Sequence, residues 1–315
     1  MAEIDLGRAV GHEDAEALPV GWNQRDLLLY AVGIGAKAND HSLVNDDGQD
    51  VNVFKSRIGL RAAPGLPKLD PNRTVHATQT IQILKPLPAV SGPGWRMKHR
   101  IVSVSENKSG IILESEYTLV DPKGTPYAIL YVRIVIFLGF SVFSLLMRFL
   151  QSGTFNLGTK ATGKPFSKRI AGPPAAKPIP KDRQPDWIVK DQTTTEQAIV
   201  YRLSGDYNGL HIDPSIGKAA GFGGVILHGL SSYGFAARAV VQAVGGNDPA
   251  SLTFFGVRFT SPVKPGDALE TRMWEVGTGP NGATEIAFET RNVNSGKVCL
   301  SHGFAWVKKT EKSKL

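Results

Sequence analysis

Apolar runs broken by Gly-, Asn- and Pro-rich turns divide the chain into two stretches with the same order of elements. In the first, the apolar segment Asp26 to Lys37 has helical character, and strand-like runs follow at Thr74 to Leu84, Trp95 to Ser105, Gly110 to Val120 and Tyr127 to Phe137. Asn107-Lys108-Ser109-Gly110 and Asp121-Pro122-Lys123-Gly124 stand between them as turns. In the second stretch, Thr194 to Ser204 leads into a loop rich in Gly and Asp, and Val225 to Val244 is long enough for a central helix. Strands are expected over Leu252 to Thr260, Ala268 to Val276, Thr284 to Asn292 and Lys297 to Lys308. Gly279-Pro280-Asn281-Gly282 and Asn294-Ser295-Gly296 mark the turns. One apolar helix followed by consecutive antiparallel strands, twice over, points to an α+β architecture in which each half wraps a sheet around a helix.

From Gly163 to Arg183 the composition shifts to Pro, Gly, Ala and Lys, which resists both helix and strand and suits an extended, exposed connector. The expected organisation is an N-terminal repeat over residues 1–162, a connector over 163–185, a C-terminal repeat over 186–309 and a tail over 310–315.

Composition narrows the function classes. With 315 residues, 42% hydrophobic and 20% charged, the chain reads as a globular protein able to bury a sizeable core. Lys and Arg number 36 against 28 Asp and Glu, a formal charge of +8 that favours an anionic partner. The basic residues are scattered and form no stripe interleaved with aromatics. A phosphate-bearing small molecule therefore accounts for the excess better than nucleic acid does. The longest apolar stretch, Ile134 to Met147, falls short of the roughly 18 to 20 residues of a spanning helix, so a strand followed by an apolar connection or helix is expected there, with no membrane span. The single cysteine, Cys299, allows no internal disulfide and no thiolate metal cluster, and its apolar neighbours suggest a buried thiol. No secretory signal opens the sequence. Its last three residues, Ser313-Lys314-Leu315, have the form read by the peroxisomal import receptor and follow a polar tail.

Two neighbouring segments hold the candidate chemistry. Tyr201 to Pro214 is a turn-rich loop carrying Asp206, Asn208 and His211, close enough for a carboxylate, an amide and an imidazole to share one pocket. Adding water to an activated alkene needs one group to orient and deprotonate the water and one to deliver a proton, and an imidazole with a carboxylate does this near neutral pH. The plainer alternative is an Asx-turn loop whose Asp and Asn serve their own backbone beside a surface His. Gly221 to Leu230 brings glycines into a helix start, where free backbone N–H groups can stabilise an oxyanion on a thioester carbonyl or pack closely. His211, Asp213 and His228 could converge, but no metal-binding spacing such as HExxH is present, nor is a GxSxG nucleophile motif.

These segments resemble the signature of the hydratase 2 family, the MaoC-like (R)-specific 2-enoyl-CoA hydratases that include the hydratase part of peroxisomal multifunctional enzyme type 2. The likeness is carried by Tyr201 to Pro214, Ala219 to Phe222, Ile226 to Leu230 and Phe259 to Asp267. In the first half it is carried by Leu29 to Ala36 and Gln79 to Pro88. The resemblance implies a double hot-dog fold, and a first repeat that has lost catalytic residues and instead accommodates the acyl tail. It implies catalytic roles for Asp206 and His211, a water-holding Asn208, and an oxyanion donor at Gly229. Gly205, Gly224 and His228 are then expected to line the substrate. It further implies trans-2-enoyl-CoA as substrate, (3R)-3-hydroxyacyl-CoA as product, a role in peroxisomal fatty-acid β-oxidation, a homodimer, and no metal or redox cofactor. The chain lacks the dehydrogenase and sterol-carrier domains of the multifunctional enzyme, so a stand-alone hydratase in the peroxisomal matrix is expected. Gly209 stands where the family commonly has Pro, which should leave this loop more flexible; the apolar stretch after Tyr127 to Phe137 replaces a glycine-rich segment and leaves acyl-chain preference open. The rival readings are a hot-dog acyl-CoA thioesterase and a non-catalytic acyl-CoA-binding protein.

Overall fold

The computed structural model describes residues 4–37, 63–67, 74–107, 110–136 and 162–308. After a short α1 (Leu6–Ala9), the first half runs β1 (Leu18–Pro19), α2 (Gln24–Gly33), β2 (Thr74–Ile83), β3 (Arg96–Asn107), β4 (Gly110–Val120) and β5 (Pro126–Ile136). β6 (Phe166–Arg169) follows. The second half runs β7 (Trp187–Gln192), α3 (Gln197–Arg202), α4 (Pro214–Ala219), α5 (Gly229–Val244), β8 (Leu252–Phe259), β9 (Ala268–Thr278), β10 (Thr284–Asn292) and β11 (Val298–Val307). Among the described residues the strands join one sheet in the order β1-β3-β4-β5-β2-β8-β11-β10-β9-β7, with β6 added on β3.

Outward from the middle, β2-β5-β4-β3-β1 mirrors β8-β11-β10-β9-β7, as two copies of one unit joined back to back would. The seam is the antiparallel pair β2–β8, where Thr80 faces Gly256. A side chain at Gly256 would press on Thr80 Oγ1 at 3.0 Å, so glycine suits this crossing.

The second half of the sheet curls around α5. Residues 231–241 of that helix are buried without interruption, the mark of a helix enclosed on all sides. Tyr233 and Phe235 on the helix meet Phe255 and Phe288 on the strands, all of them fully buried. Such side chains contribute about 1.5–3 kcal/mol each on burial. The Tyr233 hydroxyl is satisfied by donating to the Phe255 carbonyl at 3.1 Å.

α2 begins at a capping box between Asn23 and Asp26 and stops at Gly33, four residues short of the expected Lys37. Gly35 explains the stop: its φ is +79°, and any side chain there would run into the Phe235 ring. The last carbonyls of α2 are taken up by the second half. Gln197 Nε2 and Ser231 Oγ donate to Gly33 O at 2.8 and 3.0 Å, and Arg238 Nε to Ile34 O at 3.3 Å. α2 thus lies against α3, its Tyr30 edge-on to Tyr201, rather than in the position α5 holds in its own half.

Other differences have local causes. The central helix starts at Gly229 rather than Val225, because the preceding segment is tied to the loop between β8 and β9 through Leu227 N–H and Val263 O at 2.7 Å. The connector, expected to hold no strand, contains β6: Phe166 to Arg169 lacks Pro and Gly, and Phe166 packs beside Ile101 and Val104. β7 is an edge strand whose alternating exposure was not singled out in the sequence. Cys299 is buried; burial pushes its thiol up to about 12, and its Sγ lies 3.3 Å from the Thr290 carbonyl. The apolar stretch is described only as far as Ile136, as the end of β5, and Ser313-Lys314-Leu315 lies outside the described residues. Among the described residues no helix is long and apolar enough to cross a membrane.

Candidate active site

The loop after α3 is built by its own side chains. Gly205, at φ +114°, turns the chain where a Cβ would be strained. Asp206 Oδ1 then accepts the Asn208 N–H at 3.2 Å, and Asn208 Oδ1 accepts the Leu210 N–H at 3.0 Å, opening the 3-10 turn Gly209–His211. Asp213 Oδ1 caps α4 through the Ser215 N–H at 2.8 Å and hydroxyl at 2.6 Å. The Asx-turn alternative is therefore real for the backbone. It does not exhaust the loop, because Asp206 and His211 also converge on His228.

His211 and His228 lie with ring centroids 3.8 Å apart and planes at 27°. His211 Nδ1 is 2.9 Å from the Ile226 carbonyl. A carbonyl only accepts, so Nδ1 carries the hydrogen and Nε2 keeps a bare lone pair. Burial holds the His211 pKa below the ordinary 6.5, opposed by the Ile226 carbonyl and the Asp206 charge. At pH 7 the ring is neutral and basic. His228, 1% exposed, gives its Nε2 hydrogen to the Asp206 carbonyl at 3.2 Å, and Tyr201 flanks it with ring centroids 4.9 Å apart. Burial first, and then the neighbouring His211, push it down to about 4. His228 is thus a buried, neutral ring stacked on His211.

Asp206, His211 and His228 bring ligand atoms within 4.8 Å of one another, a spacing that suits one shared water or one cation. Asp213, considered with the two histidines from sequence, is instead occupied at α4. Asn208 is exposed, its carbonyl oxygen engaged by the Leu210 N–H. Gly229 is exposed as the first residue of α5, where the backbone N–H has no partner within the helix. A Cβ on Gly229 would stand 3.3 Å from the Phe259 ring. Gly224, at φ +155°, packs its carbonyl where a side chain on Gly217 would stand, so its place is against α4. Sequence reasoning missed His76, on β2 of the first half, whose ring lies 4.8 Å from that of Phe259. Nothing local marks it; only the β2–β8 pairing carries it there.

Residues 177–298 match the MaoC like domain, and residues 21–139 match the MFE-2 hydratase 2 N-terminal domain. The peroxisomal enoyl-CoA hydratase 2 of Arabidopsis thaliana is 32% identical over 296 residues, covering 88% of this chain and 89% of that protein. The chain belongs to the MaoC-like hydratase 2 family. This hydratase 2 family member is also 30% identical over 310 residues to the mouse peroxisomal multifunctional enzyme type 2, where the match takes in 94% of the chain but only 38% of the longer mouse protein. The crystal structure of a MaoC-like dehydratase from Phytophthora capsici superposes with a TM-score of 0.78 at 29% identity, covering 99% of this hydratase 2 family member and 100% of that chain. The expected double hot-dog architecture is thus the fold of this family member, with its large antiparallel sheet and few helices.

Proposed function

We propose that this chain adds water across the double bond of a trans-2-enoyl-CoA, giving the (3R)-3-hydroxyacyl-CoA, and that it does so in peroxisomal fatty-acid β-oxidation. The observation that carries the reading is the convergence of the Asp206 carboxylate with an imidazole whose Nε2 is left bare by the bond from Nδ1 to Ile226. A water held between them loses a proton to one of the pair as its oxygen bonds to C3 of the enoyl group. The electron pair of the double bond moves toward the thioester, and negative charge collects on the carbonyl oxygen. The Gly229 N–H, at the positive end of α5, meets that charge. The proton then passes to C2, which restores the thioester and frees both groups. Asn208 holds the water. No electrons change hands between molecules, so the reaction calls for no redox cofactor, and the two side chains supply the acid–base chemistry without a metal.

The net charge of +8 suits the phosphates of coenzyme A, and the first repeat provides room for the acyl tail. Ser313-Lys314-Leu315 supports import into peroxisomes, in keeping with relatives named as peroxisomal, and a homodimer is part of the same reading. The test is purified protein with crotonyl-CoA and longer 2-enoyl-CoAs, following loss of the enoyl absorbance with chiral analysis of the product. Release of free thiol from an acyl-CoA in place of hydration would assign a thioesterase. Binding without turnover would assign a carrier.

A further inference from the structure

β2 reaches the site with a defect in its ladder. Its pairing to β5 runs His76 to Ile134 and then Thr78 to Arg133, so Ala77 is an extra residue, a β-bulge. In a regular strand residues three apart point to opposite faces. The bulge shifts that alternation by one and brings His76 and Gln79 to the same side. His76 Nε2 is sealed from solvent without a hydrogen-bonding partner in the protein, and the Gln79 side chain interacts with the same ring. Buried polar atoms are rarely left this way unless water or a ligand meets them. His76 and Gln79 together form a polar wall on one bulged strand.

The His76 end of this wall lies near the chemistry. The His76 ring lies 4.8 Å from Phe259, and Phe259 lies over the Cα of Gly229. His76 also feels the Asp206 carboxylate. Burial pushes it down to about 4, opposed by the Thr78 backbone, the Gln79 side chain and that charge. A neutral imidazole is therefore held at the site from the opposite repeat.

We propose that His76 is a substrate-positioning residue contributed by the first repeat, its Nε2 hydrogen-bonding a polar atom of the reactants held between Asp206 and Gly229. The inference rests on the hydratase reading and deepens it: the first repeat both accommodates the tail and touches the reacting end.

Two variants with opposite chemistry test it. His76→Phe keeps an aromatic ring against Phe259 and removes the nitrogen. His76→Gln removes the ring and places an amide near the Nε2 position. The expected result is a fall in kcat/KM of about tenfold or more for H76F, with H76Q within about threefold of wild type, the thermal midpoints of both staying close to wild type. Weaker binding of a 3-hydroxyacyl-CoA by H76F in calorimetry is expected alongside. An active H76F with a crippled H76Q would mean that the ring only packs, and overturns the proposal. So does wild-type turnover in both variants, or loss of the folded state in both. If the wild-type protein hydrates no 2-enoyl-CoA, the hydratase reading fails and takes this inference with it; if it does and H76F is unimpaired, only the inference fails.

Discussion

His211 gives its Nδ1 hydrogen to the carbonyl of Ile226 at 2.9 Å, and that one bond decides which ring nitrogen is left for the reactants. Because Ile226 lies just before α5, the loop carrying His211 and the helix start carrying Gly229 are held in one frame. Removing either partner of the acid–base pair should stop the chemistry, and His211→Ala also gives up the bond to Ile226 while the backbone elements on either side stay in place. Asp206→Ala and His211→Ala are each expected to lower kcat by about 10²- to 10⁴-fold, with far-ultraviolet circular dichroism unchanged. Steady-state hydration of crotonyl-CoA with stoichiometric substrate binding by calorimetry checks this; turnover near the wild-type rate in either variant would remove the proposed roles.

The pH profile follows from the neutral His211. Its pKa is lowered by burial, so the working form persists below the ordinary 6.5 and is lost only when the ring takes a proton. The acid limb of kcat/KM should have its midpoint below 6.5. A midpoint at or above the ordinary histidine value would show that the ring is not buried as described.

Stability should also depend on pH, through His76 and His228. Both have folded-state values of about 4 against 6.5 for the unfolded chain. Between those values the unfolded chain holds more protons, so unfolding becomes easier as pH falls. The stabilising contribution is complete above 6.5 and declines toward pH 4. Each shift corresponds to about 3 kcal/mol at most, less where the two stacked rings titrate together. Urea unfolding at pH 7.5 and pH 5 is expected to show a clear loss at the lower pH, reduced in His76→Phe. A flat response would contradict the burial of these rings.

The C-terminal end of α2 offers a purely structural test. Gln197→Ala removes one donor to Gly33 O and leaves Ser231 Oγ in place, so a loss of about 1 kcal/mol in urea unfolding is expected, with unchanged kcat and KM. A large loss of activity with full stability would instead place Gln197 in the site.

What the sequence revealed depends on distance along the chain. The strands β2 to β5 and β8 to β11, and the helices α2 and α5, stood out because apolar residues recur with a period and turns punctuate them. β6 was hidden in a Pro- and Gly-rich context, and β7 because an edge strand alternates between half-buried and exposed residues. Asp206, Asn208 and His211 were legible because one loop carries all three. Helix-start glycines drew notice as a group, yet only coordinates separate Gly229, at the first turn of α5, from Gly224, packed on α4. His228 was noticed, but not its stacking on His211, which only the folded loop and helix start bring about. His76 had no local signal, since its face is set by a bulge and its neighbourhood by the β2–β8 seam.

That hydrogen-bonded seam makes the two repeats one continuous sheet rather than two independent bodies. Severing the chain within 170–186 would leave each fragment with a raw central edge, β2 in one and β8 in the other, each a template for strand addition. The C-terminal fragment, holding Asp206 and His211, would then have every reason to recruit another copy of itself, closing its sheet at the cost of the asymmetry that lets one copy carry the acid–base pair and the other shape the wall.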